Sequence, residues 1–514
     1  MNHEVPAKAG RREWIGLAVI ALPCVLYSMD LTVLNLAIPK LTEDLKPSGT
    51  QLLWIVDVYG FVLSGFLITM GAIGDRIGRR KLLMIGAAAF GVGSVAAAFS
   101  RNAEMLIATR ALLGVAGATL APSTLSLIRN LFDDPRERAT AIGVWISSYS
   151  IGGALGPIVG GILLEHFWWG SVFLVSVPVM LLLLAVAPAL LPEFRDPNAG
   201  KPDIASALLS LTAVLLTIYG VKRIAQDGVG LIAVASIVAG FSVGSAFIRR
   251  QKTLDDPFID VALFKQPQFS ASLAAYTLAT FVGFGIYLFV GQYLQLVKGL
   301  SAFQAGLVTL PSFGVFVVGS LVIPSLSRRF TSTSLLIAGL CISGVGFAML
   351  ATLGTSSPIA WVIAGNVVYS IGLSPVVTLT TDLIVGAAPP ERAGAAAAIS
   401  ETGSELGGAL GIAVLGSVGT AVYRKAMSHG FPIGVSSEAH SAAQGTLGGA
   451  LAVAKDLPAR VGTQLVDSAH HAFTRSLSVS ALLCVVVVVA TAVFVGLIVR
   501  SQVAVDGSQE IAEA

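Results

Sequence analysis

Charge is what this chain has least of. Only 12% of its 514 residues are Asp, Glu, Lys or Arg, and 55% are hydrophobic. Soluble proteins carry roughly 25% charged residues, so a large share of this chain cannot face water. Apolar runs of about 20 residues, the length that crosses a hydrocarbon core of roughly 30 Å, recur from end to end. The composition excludes a soluble globular protein and predicts an all-α polytopic membrane protein.

Cysteines and enzyme motifs are also scarce. The three cysteines, Cys24, Cys341 and Cys484, lie far apart inside apolar runs, which favours packing over disulfides or metal binding. The chain has no nucleophile elbow, HExxH motif or glycine-rich phosphate loop, and no soluble domain large enough for a nucleotide site. The adjacent His470 and His471 lack the spacing of metal ligands. We therefore predict no enzyme, no catalytic residues, no metal and no cofactor.

Fourteen apolar segments are long enough to be spans, and their basic flanks set the orientation. With the N-terminus inside, the inside segments hold most of the Lys and Arg, as the positive-inside rule requires. An even number of spans then places both termini in the cytoplasm. The basic residues assigned to short outside loops are Lys40, Lys46, Arg101, Lys222, Arg223 and Lys298. The predicted spans are about 14–36, 52–74, 82–100, 104–128, 139–163, 168–191, 204–222, 229–248, 269–296, 303–326, 333–353, 358–386, 395–422 and 475–499.

Spans five and thirteen carry matching rows of small residues, which let helix backbones approach closely. Each is the fifth of a six-helix group if spans seven and eight are an insertion. Two matching six-helix halves are typical of transporters that alternate access to a midplane site. The rows contain Gly152, Gly156 and Gly160, then Gly153, Pro157 and Gly161, and in span thirteen Gly403, Gly407 and Gly411.

This repeat predicts an N-terminal bundle (1–192), an inserted pair of spans (193–262) and a C-terminal bundle (263–514). The C-terminal bundle contains a long outside loop at about 423–474. Its broken helical periodicity, with Pro458 in the middle, predicts a short hairpin of amphipathic helices on the outer face.

Four motifs resemble those of the major facilitator superfamily, specifically its fourteen-span drug:proton antiporter branch. The loop after span two, GAIGDRIGRRK, matches the superfamily loop motif, and ATRALLGVAG matches the arginine motif of span four. SIGGALGPIVGG matches the motif that marks exporters, and DLTVLN matches the first-span motif of the branch. The matching residues are Gly71, Asp75, Arg76, Gly78, Arg79 and Arg80; Arg110, Gly114 and Gly117; Gly156, Pro157, Gly160 and Gly161; and Asp30, Thr32 and Asn35.

The resemblance implies the major facilitator fold, with two six-helix bundles and two additional spans between them. It is closest to exporters of quaternary ammonium compounds, cationic dyes and viologens, and implies a role in drug and biocide resistance. We therefore expect a monomeric proton-driven antiporter of the bacterial inner membrane, whose partners are lipophilic cations, protons and lipids and not nucleic acid. Some relatives that handle divalent cations carry an aspartate in the tenth span; this chain has none there, which argues against divalent substrates that need that charge.

Three ionisable residues fall at a similar depth in the outer part of the first half. A helix rise of about 1.5 Å per residue places Asp30, Asp57 and Arg110 there. A lone charge at that depth costs at least about 2.5–3.5 kcal/mol, which a basic partner or a wet cavity offsets. We expect Asp30 and Asp57 to exchange protons or bind cationic substrate, while Arg110 orients the acidic cluster. The alternative is a structural ion pair that fixes helix packing.

Glu401 and Glu405 lie one turn apart on span thirteen and share a helix face. The glycine row of that span lies on the opposite face. If those glycines pack against a neighbouring helix, the glutamates can face the cavity and bind substrate or protons. Alternatively, Glu401 reaches headgroup water. Aromatic and amide side chains suited to lipophilic cations are candidates for the pathway lining, or else packing residues. They are Tyr59, Trp145, Tyr287, Gln292, Asn366 and Tyr369.

The cytoplasmic loop after span two is predicted to gate access. Asp75 can pair with an arginine or a helix end of the other half and latch one access state, with Gly78 supplying the tight turn. The alternative is anchoring by Arg79 and Arg80 under the positive-inside rule.

Two other functions stay open at this stage. The first is export of an endogenous lipid, siderophore or amino-acid-like metabolite, because the motifs carry coupling and not substrate identity. The second is a membrane enzyme or sensor, for which only the Asp30, Asp57 and Arg110 set offers clustered ionisable groups.

Overall fold

The computed structural model describes residues 8–195, 203–254, 257, 263–386, 393–428 and 437–513. Within these ranges the chain is helical and forms no strand, as expected where no water is present to bond free backbone groups. Fourteen helices are long and apolar enough to cross a membrane. The predicted fold class and number of spans are confirmed.

The helices follow the predicted spans closely. Span six is divided between α6 and α7, whereas α15 and α16 are short helices of the outside loop. The bounds are α1 Arg11–Leu45, α2 Gly49–Ile77, α3 Arg79–Ala98, α4 Ala103–Leu131, α5 Pro135–His166, α6 Ser171–Leu174, α7 Ser176–Leu190, α8 Ile204–Asp227, α9 Leu231–Gln251, α10 Pro267–Gln292, α11 Ala302–Leu326, α12 Ser332–Ala351, α13 Ile359–Gly386, α14 Ala393–Met427, α15 Ser437–Gly445, α16 Leu447–Lys455 and α17 Ala459–Glu513.

The helices of the two halves pack in the same pattern. In the first half α1 packs on α5, α2 on α4, and α3 on both α4 and α7. In the second half α10 packs on α14, α11 on α13, and α12 on both α13 and α17. The halves meet where α2 packs on α14 and α5 packs on α11. Each helix of the first half thus has a counterpart in the second.

The glycine rows explain how closely these helices approach. The first row of α5 faces α1, where a Cβ on Gly152 would lie 2.2 Å from the Val25 carbonyl oxygen. The second row faces α11 in the other half, where a Cβ on Gly161 would lie 2.5 Å from the Cα of Phe303. The α14 row faces α10. The α5 motif therefore serves two interfaces at once, one within the first half and one between the halves.

The inserted helices α8 and α9 pack on each other, and α8 also packs on α2 and α14. The α8 helix thus lies along the seam between the halves. It runs on to Asp227, so Lys222 and Arg223 are helical residues. Their assignment to an outside loop was wrong, because a lysine near the end of an apolar run resembles an interfacial one.

The outside loop forms the predicted hairpin, with a break between α16 and α17 at Pro458. The second helix does not stop at the membrane, because α17 continues from Ala459 through the last span. Lys455 of the hairpin pairs with Glu43 of α1 at 2.5 Å. At the outer ends of α5 and α11, the Ser301 hydroxyl donates to Glu165. The first of these contacts joins the hairpin to α1, and the second joins the two halves.

Candidate functional site

The Asp30 carboxylate of α1 forms a buried ion pair with Arg110 of α4. The Arg110 Nη1 atom lies 2.5 Å from Asp30 Oδ2, and the arginine side chain is 1% exposed. Its Nε donates to the Ile55 carbonyl at 3.2 Å, and its guanidinium lies 4.6 Å from the centre of the Tyr59 ring. The structure therefore brings together Asp30 and Arg110, two of the three residues predicted to converge.

Asp57 of α2 has a different partner. Its Oδ2 lies 2.8 Å from the Nζ of Lys222 on α8, and both side chains are at most 1% exposed. The ammonium also lies 3.8 Å from the centre of the Trp54 ring. Arg110 therefore pairs with Asp30 and not with Asp57, and the two aspartates form separate ion pairs; that Arg110 orients the acidic cluster stays a prediction.

Sequence reasoning missed Lys222. One signal could have revealed it: no other charged residue precedes Lys222 in α8, and Lys222 is four residues after Ile218 on the same helix face. Ile218 is 2% exposed, so that face is buried.

Glu405 of α14 reaches across to the first half of the protein. Its Oε1 accepts a hydrogen bond of 2.6 Å from the Tyr27 hydroxyl of α1. Glu401 lies one turn away on the same face, and both glutamates are partly exposed. In the described part of the chain neither forms an ion pair with Lys, Arg or His. These are acids in the predicted position, without a resident cation.

Four aromatic rings, Tyr59, Tyr27, Tyr149 and Trp145, pack in a row within the first half, and Tyr27 of this row contacts Glu405. Tyr27 lies 6.4 Å from Tyr59 and 5.5 Å from Tyr149, measured between ring centres. Tyr149 in turn meets Trp145 edge-on at 4.9 Å, and the Trp145 Nε1 donates to the Thr124 hydroxyl. We call these four residues the aromatic wall. Tyr59 and Trp145 were predicted; Tyr149, one turn after Trp145, could have been found by the same helical spacing.

The other predicted lining residues lie in the second half, and all four are buried. Tyr369 of α13 stacks on Phe347 of α12 with ring centres 5.0 Å apart, a packing contact within that half. Tyr287 meets Phe313 edge-on at 6.1 Å. Gln292 donates to the Leu288 carbonyl at 3.4 Å, and the Asn366 amide nitrogen forms no hydrogen bond. None of these contacts joins the aromatic wall.

The predicted gating loop contacts its own half. Gly78 adopts φ 113°, which an L side chain rarely does, and a Cβ there would lie 2.4 Å from Glu193. Glu193 accepts the backbone N–H of Arg80 and lies 3.6 Å from its Nε. Arg79 donates to the Pro122 carbonyl, Gly71 also lies against Pro122, and Arg76 is exposed. The side chain of Asp75 lies outside the described residues, so the latch stays a prediction.

The comparisons with known proteins agree with this architecture. The model of the Major Facilitator Superfamily matches residues 20–412. The chain is 46% identical to the multidrug efflux pump LfrA of Mycolicibacterium smegmatis, over 95% of this chain and 97% of that protein. It is 36% identical to the methyl viologen resistance protein SmvA of Salmonella typhimurium, over 91% of this chain and 94% of that protein.

Solved structures show the same fold. A bacterial homologue of the human lysosomal transporter Spinster superposes with a TM-score of 0.67 at 19% identity, covering 96% of this chain and 98% of that one. The relatives are consistent with the drug:proton antiporter branch that the motifs resemble, and they support a drug efflux transporter. The chain is thus a multi-pass membrane protein that belongs to the Major Facilitator Superfamily, a transporter and not an enzyme.

Proposed function

We propose that this protein is a proton-coupled antiporter that exports lipophilic cationic drugs, dyes and quaternary ammonium biocides by alternating access. Its site would be the bacterial inner membrane, with both termini in the cytoplasm, and its energy source the proton gradient. One observation carries the proposal: Glu405 is a membrane-embedded carboxylate without a resident cation, held by Tyr27 beside the aromatic wall.

The aromatic wall suits the apolar body of such a substrate. Ring faces attract cations by about 0.5–2 kcal/mol, with the larger values at desolvated sites. Apolar contact adds roughly 25 cal/mol for each Å² removed from water. Neither term requires a particular substrate shape, which suits a multidrug site. The ionised Glu405 would supply the selection for positive charge.

Antiport follows from the fact that one carboxylate holds either a proton or a cation. A cation arriving from the cytoplasm favours the ionised carboxylate and releases the proton; a proton arriving from outside neutralises it and releases the cation. The Tyr27 hydrogen bond spans the two halves, and hydrogen bonds to ionised acceptors are about twice as strong as neutral ones. The charge on Glu405 would therefore change how firmly the halves hold each other.

The relatives support the same class of substrate. One is a multidrug efflux pump and the other a methyl viologen resistance protein. Methyl viologen is a flat dication. Since α11 offers no acid, a dication bound here would pair with Glu401 and Glu405 together.

The experiment is antiport in liposomes with an imposed pH gradient and a pH-sensitive dye. Ethidium should collapse the gradient with the native chain, and Glu405→Gln should abolish that response, with Asp30→Asn tested beside it. Glu104→Gln, which changes an exposed carboxylate at the start of α4, is the matched control. A native chain that moves protons with no lipophilic cation would contradict the proposal and favour export of an endogenous metabolite.

A further inference from the structure

The buried ammonium of Lys222 has no part in the proposed function above. It comes from the inserted pair of helices, which the repeat of six and six does not require. Removing a lysine and an aspartate from water is expensive, and a buried ion pair is often no more stable than an apolar replacement. Stability alone therefore gives little reason for this pair.

The pair lies where three parts of the molecule meet. Asp57 and Trp54 belong to α2 of the first half, and Lys222 to α8 of the insertion. One turn away, the same faces of α2 and α8 form an apolar cluster with α14 of the second half. That cluster contains Phe61, Ile218, Ala409 and Ala413, each at most 4% exposed.

Among the residues the structure describes, the pair of Asp57 and Lys222 is the only ion pair between α8 and the first half. The other contacts of α8 on the seam are apolar: the cluster joins Ile218 to Phe61 and to the alanines of α14, and Val214 and Leu215 pack against it. An ionised Asp57 thus supplies a charged contact between α8 and α2 that the apolar cluster does not.

We propose that Lys222 is a positioning residue that ties α8 to α2 while Asp57 is ionised, and that a proton binding to Asp57 releases it. The proton adds to a carboxylate oxygen, and Lys222 keeps its own proton and remains a cation. The ammonium, no longer held by the carboxylate, is then free to leave the ring of Trp54, whose attraction for a cation amounts to about 0.5–2 kcal/mol. The inserted helices therefore take part in the transport cycle and are not spacers; this role in transport, though not the release itself, rests on the proposed function.

Few other charges act on this pair. Arg110 of α4 lies nearby, since it donates to the Ile55 carbonyl two residues before Asp57. On α8, Arg223 pairs with Asp227 on the partly exposed side. The residues of α14 that face the seam are apolar: Leu406, Ala409, Leu410 and Ala413. The Arg250 side chain of α9 is held by Asp203 at the opposite end of α8.

A first test reads the ion pair without any transport. The fluorescence of Trp54, taken as the difference between the native chain and Trp54→Phe, is followed from pH 5 to 9. The signal should titrate in the native chain and stay flat in Asp57→Asn. A native signal that does not change with pH would overturn the proposal, whatever the protein exports.

A second test measures the pH profile of drug-driven proton release in liposomes. An opposite charge within a few ångströms lowers the pH at which a carboxylate takes up its proton by about 1–3 units. Lys222→Met should therefore move the profile upward by that amount, and Lys222→Arg should restore it. The adjacent Arg223→Met is the matched control and should leave the profile in place.

Two double variants separate this role from a structural one. Asp57→Asn with Lys222→Met leaves no unpaired buried charge at this site, so it should fold and should show the same transport defect as Asp57→Asn alone. Asp57→Lys with Lys222→Asp keeps an ion pair but moves the carboxylate to α8; it should fold without recovering coupling. If that exchange restores coupling, the pair is structural and the proposal is wrong. If the native chain transports no cation, the proposed function fails while the fluorescence test still decides the role of Lys222.

Discussion

The acidic residues embedded in the two halves differ in whether a basic side chain neutralises them. In the first half, Asp30 and Asp57 each hold a buried cation, Arg110 and Lys222 respectively. In the second half, Glu405 has a tyrosine hydroxyl as its described partner. Since a carboxylate already paired with a fixed cation has little to offer a mobile one, the unpaired half is the better site for a substrate. The paired half is better suited to sense protons and hold the helices in register.

The largest effect is expected from removing the cation of the first half. Arg110→Met leaves Asp30 buried beside no charge, which costs about 3–5 kcal/mol in unfolding free energy and should abolish transport. Thermal unfolding in detergent measures the loss of stability, and drug-driven proton release measures the loss of transport. Arg101→Met, in an exposed loop, is the control. Asp30→Asn added to Arg110→Met should recover stability; if it does not, the loss comes from packing and not from the unpaired charge.

The next largest effect is expected from giving the second half a cation of its own. Tyr27→Lys places an ammonium where the hydroxyl now meets Glu405, and so makes this acid resemble those of the first half. We expect export of lipophilic cations to fall at least about tenfold, the equivalent of about 1.4 kcal/mol. Uptake of ethidium into inverted vesicles measures it. Unchanged export would mean that the substrate charge does not use Glu405.

A smaller and selective effect is expected from Glu401→Gln. It removes one of two carboxylates on a single helix face. The affinity for a dication such as methyl viologen should therefore fall about tenfold, whereas the affinity for tetraphenylphosphonium, a monocation, should not change. Competition with a fluorescent substrate measures both. Equal losses for both cations would show that Glu401 acts on the fold or on proton coupling and not on the second charge.

The smallest effect is expected from Tyr27→Phe, which keeps the ring and removes the donor. A hydrogen bond to a charged group contributes about 1.5–3 kcal/mol, but water can replace the hydroxyl at a partly exposed carboxylate. We therefore expect a loss of less than tenfold in transport and an unchanged unfolding temperature. Tyr149→Phe, whose ring is in the same wall, is the matched control and should be close to native.

Much of the architecture was readable from local patterns. Span number, the repeat and the glycine rows depend on hydrophobicity and spacing along single helices, and those survive any arrangement of the helices. The α14 row shows this well: Gly407 was expected to face a neighbouring helix, and a Cβ there would lie 2.3 Å from the Thr277 carbonyl oxygen of α10. Asp30 and Arg110 could also be placed at one depth by counting residues.

Partners across the bundle could not be read in that way. Depth assigns a residue to a level of the membrane but not to an angle around the helix bundle, so Asp57 was equally compatible with Arg110 and with Lys222. Nor could hydropathy show whether Lys222 faced lipid headgroups or the seam between the halves.

Composition and periodicity along the chain thus determined that this is a fourteen-span membrane protein with a repeated six-helix unit and acids inside its spans. Only the tertiary structure decided which acids are neutralised by a fixed cation and which are left for a mobile one. The physical reason is the range of the forces involved: burial in lipid acts on each helix separately, whereas an ion pair needs two groups within about 4 Å, and only the packing of helices far apart in sequence brings them there.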